Sequence, residues 1–229
     1  MNIVILTGAG ISAESGVKTF RDDDGLWEGH DVQEVATPEA YRRNPELVQS
    51  FYDARRRQVL NVEPNDAHRA LARLEQEHPG QVLVVTQNVD DLHERAGSQN
   101  VLHMHGELFS AWCLSCDSRF EWREPLLPGP PCPVCNKGAL RPDIVWFGEM
   151  PYHMPRIEQA LQECDVFAAI GTSGLVYPAA GFVAVAAASG SHTVELNLQA
   201  SARTSMFAEV REGPATRTVT DWVAELLSG

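Results

Sequence analysis

The chain has 229 residues, of which 44 % are hydrophobic, enough for one sizeable core carrying an insertion. Its 31 acidic residues outnumber its 18 basic residues, and the formal net charge is -13. This charge repels the phosphates of nucleic acids, so we expect no nucleic-acid partner. The start of the chain lacks a signal-peptide pattern, and the most apolar later stretch, 176–188, is interrupted by Pro178 and Gly181. We therefore expect a cytoplasmic protein with no membrane partner.

Short apolar runs alternate with amphipathic stretches along most of the chain. The runs, which predict strands buried on both faces, are 2–6, 82–88, 165–173 and 192–197. The amphipathic stretches, which predict helices, are 67–77, 154–164 and 218–228. This order predicts an α/β fold built on a doubly wound parallel sheet.

Two stretches interrupt the alternation of strands and helices. Residues 27–65 are polar and helical in character, whereas 112–140 is rich in Cys, Pro and Gly and has little periodicity. We interpret them as two insertions that form a smaller second lobe.

The first predicted strand runs directly into the sequence TGAGISAESG at 7–16. Gly8 and Gly10 permit a tight turn and a close approach of the backbone, and the amides of the following helix would face a phosphate. Ala13 occupies the position of the third glycine in the dinucleotide fingerprint. The pattern therefore indicates either a site for a nucleotide diphosphate or a simple turn from strand to helix.

Four of the five cysteines form two Cys-x-x-Cys pairs, CLSC at 113–116 and CPVC at 132–135. Their spacing is typical of two zinc knuckles that supply four thiolates to one tetrahedral ion. Four thiolates leave no position for water, so we predict a structural Zn²⁺ held by Cys113, Cys116, Cys132 and Cys135. Disulfides or free thiols are the alternative.

Polar residues follow the second buried run. Gln87, Asn88 and Asp90 lie at its carboxyl end, where α/β sheets place their ligand crevice. His103 and His105 follow in HMHGEL, before the cysteines. Each histidine is either a structural residue or a base that titrates near neutral pH.

Three arginines stand together in FYDARRRQ at 51–58. A charge run of this kind usually forms the solvated face of a helix. Tyr52 and Arg55 are three residues apart and would share one face of that helix. Arg56 and Arg57 are assigned to the solvated face.

The motifs GAGISAESGVKTFR, TQNVDDLHERAG, HMHGEL, CLSC with CPVC, RPDIVWFGE, GTSGLVYPAA and ELN occur in this order. Together they closely resemble the sirtuins, the NAD-dependent protein lysine deacylases, over nearly the whole chain. VATPEAYRRNP and ERAG look most like the class III members of the bacterial CobB type. The resemblance implies a Rossmann-like doubly wound parallel sheet formed by 1–27, 79–104 and 143–229. It also implies a smaller lobe made of a helical module, 28–78, and a zinc-binding module, 105–142.

The resemblance further implies which residues serve the co-substrate NAD and the acylated lysine. NAD would contact Gly8, Ala9, Gly10, Ile11, Ser12, Glu14, Phe20, Arg21, Trp27, Gln87, Asn88, Val89, Asp90, Gly171, Thr172, Ser173, Asn197, Leu198, Gln199 and Ala215. The segment IVWFGE at 144–149 would match the strand that pairs with the substrate peptide through its main chain. Its substrate-binding residues would be Val145, Trp146, Phe147, Gly148 and Glu149. His105 would be the catalytic base that acts on the ribose hydroxyls.

In class III sirtuins a Tyr-x-x-Arg pair lies at the end of the acyl-lysine tunnel, and Tyr52 and Arg55 match it. A guanidinium and a phenol suit a carboxylate, which succinyl-, malonyl- and glutaryl-lysine carry and acetyl-lysine lacks. The resemblance therefore implies a desuccinylase and deacetylase that transfers the acyl group to ADP-ribose and releases nicotinamide. No oligomer is required for the site. The rival interpretations are an ADP-ribosyltransferase, a zinc-ribbon nucleic-acid module and an NAD-binding protein without turnover.

Overall fold

The computed structural model describes residues 1–18 and 29–228, together with the backbone of residues 26 and 27. The strands, in chain order, are β1 Ile3–Thr7, β2 Leu26–Trp27, β3 His30–Asp31, β4 Val82–Thr86, β5 Val101–His103, β6 Gly106–Cys113, β7 Arg119–Glu121, β8 Leu140–Ile144, β9 Val166–Ile170, β10 His192–Asn197 and β11 Glu209–Glu212. The α-helices are α1 Val32–Val35, α2 Pro38–Arg43, α3 Pro45–Val59, α4 Asp66–Glu77, α5 Leu92–Ala96, α6 Met154–Glu163, α7 Phe182–Ala188 and α8 Ala215–Ser228. None of the described helices combines the length and the hydropathy that a membrane span requires.

The larger part of the molecule is built on a parallel sheet whose strand order is β11-β10-β9-β1-β4-β5. Every residue of β1, β4 and β9 is buried, as their unbroken apolar runs predict. The sheet confirms the predicted Rossmann-like fold class. It leaves the carboxyl ends of β1, β4, β9 and β10 side by side along one edge.

The two faces of the sheet are covered by different helices. Ile3 and Ile5 point into a core shared with α4 and α8, whereas Val4 and Leu6 point into a core shared with α6 and α7. This alternation follows from the two-residue period of a strand. Predicted helices 67–77, 154–164 and 218–228 correspond to α4, α6 and α8.

The smaller lobe combines the helices α1 to α3 with the antiparallel sheet β7-β6-β8. Local signals start its helices: Thr37 and Asn44 cap α2 and α3, each followed by a proline in the first turn. A third core, which includes Tyr52 and Trp146, joins the helices to β6 and β8. The cysteines sit in a fourth small core beyond it.

Two details differ from the sequence-based expectations. Helix α4 packs into the core of the large sheet, so we propose that the helical module ends before Asp66 rather than at 78. The segment 145–149, which we expect to pair as a strand with a substrate peptide, follows the end of β8 at Ile144 and contains a turn in this structure, closed by the Glu149 amide donating to the Trp146 carbonyl.

The arginine run also differs from its expected solvated face. Arg56 is only 1 % exposed, and its Nη1 lies 2.5 Å from Oδ1 of Asp53, while its Nε donates to the Leu108 carbonyl at 2.8 Å. The Asp53 carboxylate also accepts the amide hydrogens of Leu126 and Leu127. This buried ion pair therefore ties α3 to the zinc-binding module. Arg57 is exposed, as expected.

We expect Arg56→Ala to lower the free energy of unfolding by about 3–5 kcal/mol, because it leaves the Asp53 carboxylate buried without its charge partner. Arg57→Ala, which removes an exposed arginine from the same helix, is the matched control and should change it by less than about 0.5 kcal/mol. Chemical denaturation of both variants measures the difference. Equal effects would show that the ion pair does not hold the two modules together.

Candidate active site

A cavity of about 1470 Å³ opens where β1, β4, β9 and β10 end. The loops after these strands form one wall of the cavity. The opposite wall includes Val32, Ala36 and Tyr52 from the smaller lobe. It also includes the segment after β8, which packs on the core of that lobe through Trp146, although the expected division placed 143–229 with the large sheet. The cavity thus lies between the two lobes, at the edge where α/β sheets bind their ligands.

The glycine-rich loop after β1 is shaped by its contact with the loop after β9. A Cβ atom on Gly10 would lie 2.6 Å from Cα of Gly171, and one on Gly8 would lie 2.7 Å from the Gly171 carbonyl oxygen. The Gly10 amide donates to that carbonyl at 2.9 Å, and the Ile11 amide donates to Gly8. These two amides are therefore used within the fold, so other amides of the loop would have to face a phosphate. A 3-10 helix, Ala9–Ser15, follows the turn.

Asn88 and Asp90, which follow β4, are fixed by hydrogen bonds to the glycine-rich loop. The side-chain amide of Asn88 donates to the Gly8 carbonyl at 3.2 Å, and the Ser12 hydroxyl donates to the Asp90 carboxylate at 3.2 Å. Burial raises the pKa of Asp90 to about 6, although hydrogen bonds from Leu92 and Ser12 oppose the rise. The floor of the cavity therefore holds a carboxyl group that changes charge close to neutral pH.

His105 lines the same cavity, and its Nδ1 lies 3.2 Å from the Gln87 carbonyl oxygen. A carbonyl only accepts, so Nδ1 carries the hydrogen and Nε2 is left as the basic nitrogen. Burial lowers the pKa of His105, and the hydrogen bond to Gln87 opposes this only in part. The imidazole is thus neutral at pH 7 and able to accept a proton.

His103 has the opposite electrostatic setting and lies behind the cavity. Burial lowers its pKa, but the hydrogen bond and charge of Glu94 outweigh burial and raise it overall. Its Nε2 is 2.8 Å from the Glu94 carboxylate and its Nδ1 is 3.2 Å from the Asn88 carbonyl. His103 therefore supports the loop after β4, in line with the structural alternative.

Two further buried histidines were missed at the sequence level. His68 Nε2 lies 3.3 Å from the Ser12 hydroxyl, and His93 Nε2 lies 3.0 Å from the Thr7 hydroxyl. Burial lowers the pKa of His68 to about 4 and that of His93 well below its usual value, so both are neutral. For His68 a local signal was available in the sequence, because the side chains of Asn65 and His68 form a capping box at the start of α4.

The wall from the smaller lobe contains a buried polar contact. Trp146 Nε1 donates to the Tyr52 hydroxyl at 3.0 Å, and both side chains are almost fully buried. Arg141 stacks on the Trp146 ring and binds the Glu149 carboxylate through two hydrogen bonds of 2.8 and 3.0 Å. The segment after β8 is thereby held against the cavity.

Most of the proposed site residues lie around this one cavity. Those that line it are Gly8, Ala9, Gly10, Glu14, Tyr52, Gln87, Asn88, Val89, Asp90, His105, Val145, Trp146, Phe147, Gly148, Glu149, Gly171, Thr172, Ser173, Asn197, Leu198, Gln199 and Ala215. Ile11 and Ser12 are buried behind the lining, and Arg55 does not contribute to it. Phe20, Arg21 and the Trp27 side chain lie outside the described residues. The lining at Met150 and Met154 was not predicted, and Leu175–Pro178 belong to the motif GTSGLVYPAA but were given no role in the site.

The four paired cysteines meet at the outer end of the smaller lobe. Their Sγ atoms all lie within 4.8 Å of one another, with 3.7 Å between Cys113 and Cys135 and 3.8 Å between Cys116 and Cys132. A tetrahedral zinc ion with bonds of about 2.3 Å separates its sulfurs by about 3.8 Å. No disulfide links the described cysteines. The cluster therefore fits a structural zinc ion.

We expect the purified protein to contain one zinc ion per chain, and Cys132→Ser to lose it, because three thiolates bind zinc more weakly than four. Zinc released on denaturation, measured with a chromogenic chelator, gives the content. Cys164→Ala, which removes the fifth cysteine outside the cluster, is the matched control and should keep full zinc content. Full zinc content in Cys132→Ser would contradict this assignment.

Comparison with known proteins places the chain in one family. The sequence model of the Sir2 family matches residues 8–178. An NAD-dependent protein deacylase of Bdellovibrio bacteriovorus is 56 % identical over 229 residues, covering 99 % of this chain and 97 % of the relative. The NAD-dependent protein deacylase of Vibrio cholerae is 54 % identical over 230 residues, covering 99 % of this chain and 94 % of the relative.

Solved structures agree with the sequence comparisons. A Sir2 homologue in complex with NAD superimposes with a TM-score of 0.91 at 39 % identity, covering 99 % of this chain and 90 % of that one. A Sir2 homologue mutant in complex with 2'-O-acetyl ADP ribose superimposes with a TM-score of 0.90 at 38 % identity, covering 99 % of this chain and 92 % of that one. The chain belongs to the Sir2 family.

Proposed function

We propose that this protein is an NAD-dependent protein lysine deacylase, which transfers the acyl group of an acylated lysine to ADP-ribose and releases nicotinamide. The observation that carries the proposal is the placement of His105, whose neutral imidazole lies between the strand-end loops and the wall from the smaller lobe. The names of the similar bacterial proteins support the same activity.

We assign NAD to the wall formed by the strand-end loops. Gly10 packs closely on Gly171, and the Asn197 side-chain amide donates to the Thr172 carbonyl at 2.7 Å, which fixes the loops after β9 and β10 to each other. We assign the phosphates and adenosine to these loops and the nicotinamide ribose to the loop after β4. When bound, NAD supplies the ribose that loses nicotinamide and whose hydroxyl receives the acyl group.

His105 would act as the general base on a ribose hydroxyl. The Gln87 carbonyl holds the hydrogen on Nδ1, so Nε2 is the atom that accepts the proton. A base must be neutral at the working pH, and burial keeps this imidazole neutral. Asn88 and Asp90, fixed by the glycine-rich loop, would line the nicotinamide side of the pocket.

We assign the acyl group to the wall that contains Tyr52. Tyr52 lies on α3, and Arg55 lies one turn further along the same face. The Arg55 guanidinium sits over the Phe51 ring at 5.1 Å, in a half-buried position. A half-buried cation attracts a carboxylate more strongly than an exposed one, because water screens it less. We therefore propose succinyl-lysine as a substrate, with acetyl-, malonyl- and glutaryl-lysine as further ones.

The cysteine cluster and the net charge indicate the cellular setting and the class of partner. The cysteine cluster needs its thiolates reduced, which suits the cytoplasm. The net charge of -13 disfavours nucleic acids and leaves acylated lysines of proteins as the expected partners. We propose that one chain contains the whole site, with no oligomer required. We also propose that the chain forms two domains, which correspond to the larger and the smaller lobe described above.

We expect NAD-dependent release of lysine from both succinyl- and acetyl-peptides, and we expect Arg55→Met to lower the ratio of kcat/KM for succinyl over acetyl about ten- to a hundred-fold. A charge-assisted hydrogen bond contributes about 1.5–3 kcal/mol, which corresponds to that change. Arg57→Met, on the exposed side of the same helix, is the matched control and should keep the wild-type ratio. Turnover is followed by nicotinamide release and by mass spectrometry of the peptide.

Two outcomes would contradict this proposal at different levels. Loss of both activities without any change of ratio in Arg55→Met would remove the assignment of the acyl carboxylate to Arg55. Absence of NAD-dependent turnover on any acyl-peptide in the wild-type protein would remove the deacylase function itself.

The pH dependence provides a separate test of His105. Because burial lowers its pKa, the proton leaves His105 below pH 6.5, and turnover should fall only as the pH drops through that lowered value. The titration of the His105 ring protons by NMR, assigned by their loss in His105→Gln, should have a midpoint below 6.5. A midpoint above 6.5 would show that burial does not control this base.

A further inference from the structure

We propose that Trp146 is a positioning residue for acyl selectivity, which acts by holding the Tyr52 hydroxyl as a hydrogen-bond donor toward an acidic acyl group. The inference rests on the proposed deacylase function. It concerns the hydrogen bond between the indole and the phenol, and it is separate from any contact that the main chain of 145–149 makes with a peptide.

The direction of this hydrogen bond is fixed by chemistry. An indole N–H donates and has no lone pair to accept, so the Tyr52 oxygen is the acceptor at 3.0 Å. The hydroxyl hydrogen of Tyr52 must then point away from the indole. Burial also raises the pKa of Tyr52, so the phenol keeps its hydrogen. Tyr52 therefore meets other groups as a donor.

Trp146 is itself held rigidly enough to set this direction. The Arg141 guanidinium lies 3.3 Å from the centre of the indole ring, and the Tyr41 ring packs against the indole at 5.2 Å. Glu149 accepts the Trp146 amide at 2.9 Å and also binds Arg141. With 2 % of its surface exposed, Trp146 is enclosed by these neighbours, which restrict the rotation of its side chain.

A donor at this position distinguishes between acyl groups. The carboxylate of a succinyl group accepts hydrogen bonds only, whereas the methyl of an acetyl group neither donates nor accepts. If the phenol were free to turn, it could present its lone pairs to the carboxylate, which is unfavourable. The indole removes that orientation. Tyr52 comes from α3 and Trp146 from the segment after β8, so two separate parts of the smaller lobe must meet to create the selectivity.

The test compares Trp146→Phe, Tyr52→Phe and the double variant with the wild-type protein. Each is assayed with NAD on one peptide that carries either succinyl- or acetyl-lysine. The readout is the ratio of the two kcat/KM values within one preparation, which does not depend on the fraction of protein that is folded. Trp122→Phe is the matched control, since it removes a half-buried indole of the zinc-binding module that does not line the cavity.

We expect Trp146→Phe to lower the succinyl-to-acetyl ratio about five-fold, mainly through a higher KM for the succinyl-peptide, as loss of one oriented hydrogen bond requires. Tyr52→Phe should lower the ratio at least as much. In the Tyr52→Phe background, Trp146→Phe should lower it no further, because the phenol through which the indole acts is gone. Trp122→Phe should keep the wild-type ratio.

Three outcomes would overturn the inference, and they identify where it fails. A ratio that falls in Tyr52→Phe but not in Trp146→Phe would leave the deacylase function and the role of Tyr52 intact and remove Trp146. An equal effect of Trp146→Phe with and without the Tyr52 hydroxyl would show that the indole acts by another route. Ratios unchanged in all variants would remove the acyl assignment to this wall, while NAD-dependent turnover would still support the deacylase.

Discussion

The site depends on the contact between two glycines at the ends of neighbouring strands. Gly10 and Gly171 approach so closely that a Cβ on either would lie within 2.6 Å of the other loop's backbone. This packing, with the hydrogen bond from the Gly10 amide to the Gly171 carbonyl, brings the loops after β1 and β9 together. A larger residue at either position would separate the loops and open the wall where we place NAD.

Burial then assigns different protonation states to similar side chains around that wall. Burial lowers the pKa of His105, whose described hydrogen-bond partner is the Gln87 carbonyl. His103, two residues earlier, has a raised pKa because Glu94 is among its partners. Asp90 is desolvated, and its pKa rises to about 6 although hydrogen bonds from Leu92 and Ser12 and the charge of His103 oppose the rise. The loss of water is common to all three. It decides the direction of the pKa shift for His105 and Asp90, whereas the partners of His103 outweigh it.

The smaller lobe achieves rigidity in another way. The buried pair of Asp53 and Arg56 connects α3 to the zinc-binding module, and the cysteine cluster closes the end of that module. The wall that carries Tyr52 and Trp146 is therefore supported from behind by the third apolar core and by this charge pairing. Selectivity for an acidic acyl group requires such support, because an oriented hydrogen bond contributes only where its partners are held in place.

The sequence by itself determined the features that depend on local pattern or on spacing. Apolar runs predicted the buried strands β1, β4, β9 and β10, and the cysteine spacing predicted the metal cluster. The ordered motifs predicted the family and about half of the residues that line the cavity. Only the tertiary structure decided which arginine of the run is buried, because Asp53 and Leu108 receive Arg56 through contacts that join separate modules. The same holds for the place of α4 on the large sheet, for the buried His68 and His93, and for the turn at 145–149. In each case the deciding partners come from elsewhere in the fold, and helical periodicity or residue type carries no information about them.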